Sequence, residues 1–362
     1  LEPAPAIGRF PAFQHRNFRL FWTGNLVSLV GTMAQQTALG WLVRDLTPDP
    51  FMVTVISACG SVPILLLTLR SGVVADRVDK RCALLFTNAA AAFFALLLAA
   101  ITFFGVVNLW HIALISLLVG AVNALDIPIR QAFNSEMVPR EDLPNAIAFN
   151  SSAFNGARVA GPMFGGFLLS SVGMAGCFLI NTFSFGAIMV ALAKMRLPRT
   201  PRTDQAFRLA ALKAGFSFVC ANRVLALVVL LVACVSLFAM SFGALLPVFA
   251  RDVFHTDERG FGFLMTCNGL GALGAAVALA VAGRMRHKGK RLLLGALLFC
   301  LSVIGFGATT NLVIGCLWLI AAGWFLLTFL MTANTIVQTS SPDELRGRVF
   351  SLYSMALIGT SP

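Results

Sequence analysis

Charge is scarce in this chain, and its scarcity excludes most soluble architectures. Only 12% of the 362 residues are charged while 58% are hydrophobic, and the mean hydropathy is +0.85. Ordinary soluble domains carry about 25% charged residues. Histidine is rarer still: there are four, none in mid-span, so the clustered side chains of a membrane-embedded enzyme are missing. The eight cysteines are scattered without metal-ligand spacing, mostly in apolar stretches where cysteine acts as a small hydrophobe. No Walker sequence, H-E-x-x-H or nucleophile constellation occurs, which leaves direct ATP hydrolysis unsupported. No cofactor is called for. The first apolar stretch is too long for a cleavable signal peptide and reads as a span.

Alternation of apolar and polar residues is lacking too, which excludes barrel strands. Long apolar runs are present instead. A spanning helix needs about 20 such residues. Runs lie near 19–43, 51–73, 83–105, 110–131, 144–170, 174–195, 223–249, 260–283, 291–310 and 312–336. An eleventh begins near Pro342 and is cut off at Pro362. The expectation is an all-α membrane protein with ten full spans and part of another. Because it starts at Leu1 and stops inside a span, the chain reads as truncated.

A net charge of +12 invites a nucleic-acid reading, and position rejects it. With the N-terminus in the cytosol, outward loops hold only Arg44, Arg251 and Arg259 of the 27 basic residues. Arg158 lies within a span, and the remaining 23 fall on the inner side. This is the positive-inside asymmetry of a multi-pass plasma-membrane protein of bacterial type. The runs Lys194 to Arg208 and Arg284 to Arg291 are then topology anchors beside anionic lipid.

The polar stretch from Arg196 suits an exposed linker, and Phe207, Leu212, Phe216 and Val219 mark an amphipathic helix at the inner surface. The division is 1–195 for a first six-helix bundle, 196–222 for the linker and 223–362 for an incomplete second bundle. The halves echo each other: Val138 to Pro162 resembles Ser341 to Pro362, and Gly72 to Arg81 resembles Gly283 to Arg291. A repeat of roughly 200 residues fits two bundles around a central path.

The turn GVVADRVDKR joins the second and third spans. It resembles the signature turn G-x-x-x-D-R-x-G-R-R of the major facilitator superfamily, matched at Gly72, Asp76, Arg77, Lys80 and Arg81. Asp79 stands where that pattern has glycine. The resemblance implies a conformational lock. Asp76 would face the start of an eleventh helix, where Ser341-Pro342-Asp343-Glu344 reads as a capping box, and Arg77 would pair with Asp126. Asp76→Asn is then expected to shift the protein toward inward-facing states. GPxxGG, at Gly161, Pro162, Gly165 and Gly166, resembles the helix-five signature of exporters in the superfamily. Further stretches, FRLFWTGNLVSLVGTMAQQTALGWLV among them, resemble the branch holding the enterobactin exporter and drug-efflux proteins.

Arg158 lies about 21 Å along its span, near mid-bilayer. An ionisable group at that depth is a functional candidate, for substrate or coupling. Asn155 shares its helix. Asn25, Gln35, Gln36, Asn268, Asn334 and Gln338 could line a cavity or bond between helices, since a buried amide facing lipid is costly. Gly269-Leu-Gly271-Ala-Leu-Gly274 fits a dinucleotide fingerprint but lies inside an apolar run, where it reads as helix packing. The resemblance implies a monomeric secondary transporter in the lipid bilayer, exporting a small molecule against protons. Inward symport is the alternative, disfavoured by GPxxGG, and a non-transporting receptor is more remote.

Overall fold

The computed structural model describes residues 11–139, 141–195, 216–240, 242–282, 287–342, 349, 352–353 and 355–357. Among them there are helices and no strands. The first four long helices are α1 (Arg16–Leu46), α2 (Pro50–Arg77), α3 (Lys80–Phe103) and α4 (Leu109–Met137). Leu143–Lys194 follows as one helical run broken at Gly173, whose φ of 71° and ψ of −178° suit glycine alone. We number its limbs α5 (143–172) and α6 (174–194). The run Arg223–Val253 is α7, followed by α8 (Glu258–Ala282), α9 (Lys288–Gly307) and α10 (Leu312–Ser340).

Local chemistry sets several of these starts. Asp79 caps α3 by accepting from the Cys82 amide at 2.9 Å, and Asn108 caps α4 through His111 at 2.9 Å. Asn222 and Asn311 cap α7 and α10, each taking two amides of the first turn. Such oxygens satisfy amides that have no partner inside the helix. Beyond the caps, hydrophobic length does the rest: nine described stretches are long and apolar enough to cross a membrane.

Packing on α1 shows that the chain reverses at Gly173. Trp22 donates to the Phe149 carbonyl at 3.0 Å, and Gly165 abuts Ala34 farther along, so α1 and α5 run alongside each other. Gly24 abuts Ala191 while Gly31 abuts Asn181 and Ser184, so α6 runs against α1.

Small residues make the tightest seams, as expected where lipid supplies no hydrophobic drive between helices. Gly120 of α4 has no room for a Cβ against the Gly60 carbonyl of α2. The same seam recurs between α8 and α10, where Gly271 abuts Ile320 and Gly323 abuts Asn268. The glycine-rich decoy is therefore packing. The α2–α4 and α8–α10 seams lie about 200 residues apart, the spacing of the expected repeat.

Among the described residues there are three buried apolar clusters. One, around Phe18, Phe21, Leu84, Phe133 and Leu192, draws only on residues before 196. A second, around Leu225, Phe299, Phe329 and Val337, draws only on residues after 215. The third joins both: Trp41, Ile112 and Phe178 share it with Leu246, Phe261, Phe306 and Leu319. Past α10, Tyr353 Oη donates to Leu330 O at 3.4 Å, and Leu357 O accepts from Ser236 at 2.6 Å. Within the expected linker, residues 216–221 are helical, while 196–215 lie outside the described residues.

Candidate functional site

The end of the molecule where the shared cluster lies is closed by charge as well. Arg44 and Asp45 stand in the last turn of α1; Arg251 and Asp252 stand in a π-helical turn, Phe249–Val253, that ends α7. Arg44 Nη2 pairs with Asp252 Oδ1, and Arg251 Nη1 pairs with Asp45 Oδ1 at 2.6 Å. Each Arg-Asp dipeptide therefore grips the other in a reciprocal handshake. Arg44 Nη1 also donates to the Thr47 carbonyl at 2.7 Å, which holds the guanidinium in place. Beneath the pairs Trp41 stacks on Phe261, with centroids 5.5 Å apart.

One extra residue per turn rotates the helix surface, and it is within the π turn that Arg251 and Asp252 meet α1. The apolar runs of the sequence leave Arg44 and Arg251 in outward loops. They belong instead to helix ends, because α1 and α7 extend beyond their apolar runs. A signal was there: the same Arg-Asp dipeptide follows the first and the seventh apolar stretches, about 200 residues apart.

A second constellation lies inside the first half. Asp126 Oδ2 accepts from Arg130 Nε at 2.7 Å, one turn on in α4, and Oδ1 accepts from Thr87 at 2.6 Å. Arg130 Nη1 donates to Asn25 Oδ1 of α1, its Nη2 reaches Asn88 Oδ1 at 3.5 Å, and its guanidinium lies 6.0 Å over the Phe21 ring. Asn25, Thr87 and Asn88 are all buried. Three helices thus hold one carboxylate and one guanidinium that are only partly exposed, 13% and 24% of their side chains, with each charge hydrogen-bonded.

The family described as transmembrane secretion effector matches residues 7–361. This chain belongs to that family. It is a major facilitator superfamily transporter and not an enzyme. The staphyloferrin A transporter of Staphylococcus aureus is 24% identical over 93% of this chain and 85% of its own. The enterobactin exporter EntS of Escherichia coli is 25% identical over 94% of this chain and 81% of its own. Among solved structures, a bacterial homologue of the lysosomal transporter Spinster superposes with a TM-score of 0.73 at 14% identity. That likeness covers 98% of this chain and 81% of the homologue. A bacterial homologue of the iron transporter ferroportin gives 0.69 at 17% identity, covering 95% and 89%. These structures establish the fold.

Within this transporter the carboxylate of Asp126 is engaged by Arg130, an i, i+4 partner on the same helix, and by Thr87. Asp126 is not the only acid in that span. Because α4 continues to Met137, Glu136 lies in it and binds Lys80 at 2.6 Å. Lys80 is therefore tied down, and so is Arg81, which donates to the Ala193 carbonyl of α6 at 2.7 Å. The side-chain surroundings of Gly72, Asp76, Arg77, Asn155 and Arg158, and the eleventh-helix start at Asp343 and Glu344, lie outside the described residues. Ser341 itself donates to the Val337 carbonyl at 2.6 Å, closing the end of α10.

The amides divide between glue and open surface. Gln35 accepts from Asn181 of α6 at 2.7 Å, and Asn268 donates to the Leu319 carbonyl of α10 at 3.3 Å. Gln338 donates to Asn334 along its own helix at 2.7 Å, and Gln36 is exposed. In the helix-five motif Gly161 fits against Met33 and Gly165 against Ala34, both on α1. Gly166 meets Gly262 of α8 backbone to backbone, so the motif also joins the two halves. Pro162 is accommodated inside the helix.

Proposed function

We propose that this transporter exports a small, amphipathic, anionic molecule of the siderophore or drug class, in exchange for protons, as two bundles rock about a central site. The observation that carries the export reading is the glycine seam of α5. Its exporter-like GPxxGG sits where Gly166 of one half touches Gly262 of the other. The named activities of the relatives, transport of staphyloferrin A and export of enterobactin, support the substrate class. The excess of basic residues on one side supports a start of α1 in the cytosol of a bacterial-type cell and a handshake outside. The described state is then closed outward, with its inner ends held in separate cores.

Asp126 is the proposed proton carrier. It lies eleven residues before the end of α4, about 16 Å from the inner face. A proton on this carboxylate removes the charge that fixes Arg130, whose guanidinium stays charged at any working pH. Arg130 is then free to meet an anionic substrate, and Arg158 supplies a second fixed positive site.

Inside-out vesicles of the full-length protein, given a pH gradient and a panel of siderophores and drugs, test the reading. Gradient-dependent accumulation is expected; accumulation only in right-side-out vesicles would establish inward symport instead. Asp126→Asn should abolish the response to the gradient while leaving downhill exchange measurable. Arg158→Gln should leave expression near normal and abolish export of anionic substrates, with Arg158→Lys retaining part of it. Normal transport by the Gln variant would remove Arg158 from the site.

A further inference from the structure

Lys80 of α3 and Lys288 of α9 open equivalent helices of the repeat, yet they meet different partners. Lys80 Nζ binds the carboxylate of Glu136 near the end of α4 at 2.6 Å. Among the described residues, Lys288 Nζ meets only the hydroxyl of Thr339, near the end of α10, at 3.2 Å. The second half thus places a hydroxyl where the first half has an acid. His287, Lys290 and Arg291 add three more basic side chains at the same helix start, and among the described residues none of them has an ion-pair partner. Arg291 Nη1 is buried with no hydrogen-bond partner. An orphaned guanidinium N–H in a closed environment costs free energy that an anionic oxygen would recover.

These groups line one end of a groove of about 270 Å³ between α9 and α10. The other end is apolar, formed by Leu294, Leu298, Trp324 and Phe325. Leu293, Leu294, Leu297, Leu301 and Ile304 along α9 are all exposed, as a lipid-facing helix requires. The groove opens at the end of the molecule opposite the handshake. From the handshake end the chain descends along α8 and α10 in parallel, because Asn268 bonds Leu319 while Gly274 abuts Trp324.

From this we infer a specific site for an anionic phospholipid, its phosphate on His287, Lys290 and Arg291 and one acyl chain along Leu294, Leu298 and Trp324. A basic pocket between spans, with an apolar channel leading from it, matches a phospholipid in both charge and shape. A free phosphate would satisfy the cations and leave the apolar channel wet.

Native mass spectrometry of the full-length protein released from nanodiscs tests this, with dioleoyl phosphatidylglycerol, dioleoyl phosphatidylethanolamine and inorganic phosphate as separate probes. One phosphatidylglycerol should be retained in preference to the zwitterionic lipid, and phosphate should neither be retained nor displace it. Lys290→Gln with Arg291→Gln should lower the retained fraction by roughly ten-fold or more, since each surface cation is worth about 1 kcal/mol toward anionic lipid. Thr328→Phe, which fills the groove from α10 and leaves the cations intact, should lower it as well. Equal retention of both lipids, or retention unchanged in both variants, would overturn the site and leave ordinary annular lipid.

Discussion

The two ends of this transporter are built on opposite plans. At one end a single apolar cluster, a glycine-to-glycine backbone contact and two reciprocal ion pairs join the halves. Toward the other, among the described residues, each half keeps its own core and its ties are internal: Lys80 to Glu136, Arg81 to α6, His15 to Asp142 at 2.7 Å. A rocking protein must break the joined end to open it. The weak links there should be few and reversible, which suits ion pairs and glycine contacts better than interdigitated large side chains.

The handshake gives the largest expected effect, and its two pairs are unequal. Arg44 is nearly buried, with 10% of its side chain exposed against 37% for Asp252, whereas Arg251 and Asp45 are close to half exposed. Exposed pairs contribute about 0–1 kcal/mol and pairs broken in the interior cost about 3–5, so the half-sheltered Arg44 pair falls between, near 2. Arg44→Asp sets two acids together and should shift the population toward an outward-open form by roughly thirty-fold. An impermeant thiol reagent applied outside should then label a cysteine at Gln36. The swap Arg44→Asp with Asp252→Arg should restore protection, and Arg251→Gln should change little. Equal effects from Arg44→Gln and Arg251→Gln would erase the distinction between the pairs.

The glycine contact comes next. A Cβ on Gly166 would overlap the Gly262 backbone, which cannot swing aside as a side chain can. Gly166→Ala should therefore part α5 from α8 at a cost of about 1–3 kcal/mol, seen as lost cross-linking between cysteines set beside the contact. Gly156, in the same helix, has nothing within 4 Å of its missing Cβ. Gly156→Ala should be neutral or slightly stabilising. If both variants behave alike, the seam is not what holds the halves together.

These same residues show what the sequence could and could not disclose. Helices, their approximate limits and the superfamily were legible because hydrophobic length and a charged signature turn are local patterns. The importance of Gly161, Gly165 and Gly166 was legible for the same reason. Arg130 was passed over, since an arginine toward the end of a span reads as an anchor until Asn25, Asn88 and Phe21 are known to surround it. The handshake was missed because its partners are about 200 residues apart, and no local rule pairs Asp45 with Arg251.

The smallest effect belongs to the opposite end, where α3 starts without help from the other half. Asp79 replaces the glycine of the superfamily turn and caps α3 through the Cys82 amide. That backbone hydrogen bond, with a further contribution from Arg81, holds its carboxyl below the ordinary value of 3.8, against a smaller opposing effect of burial. The sign follows from linkage. A depressed value in the folded state means the contribution is complete above about pH 4 and disappears as pH falls through the lowered value. At neutral pH, Asp79→Ala should cost about 1 kcal/mol, while Asp79→Gly, which restores the common residue, should cost only a few tenths. Hydrogen exchange at the Cys82, Ala83 and Leu84 amides would report both, with the alanine variant losing more protection than the glycine variant. Since this cap touches nothing across the halves among the described residues, neither change should alter labelling at Gln36 from outside. A change there would mean that the inner turn and the outer handshake are coupled, and that the two ends do not work on separate plans.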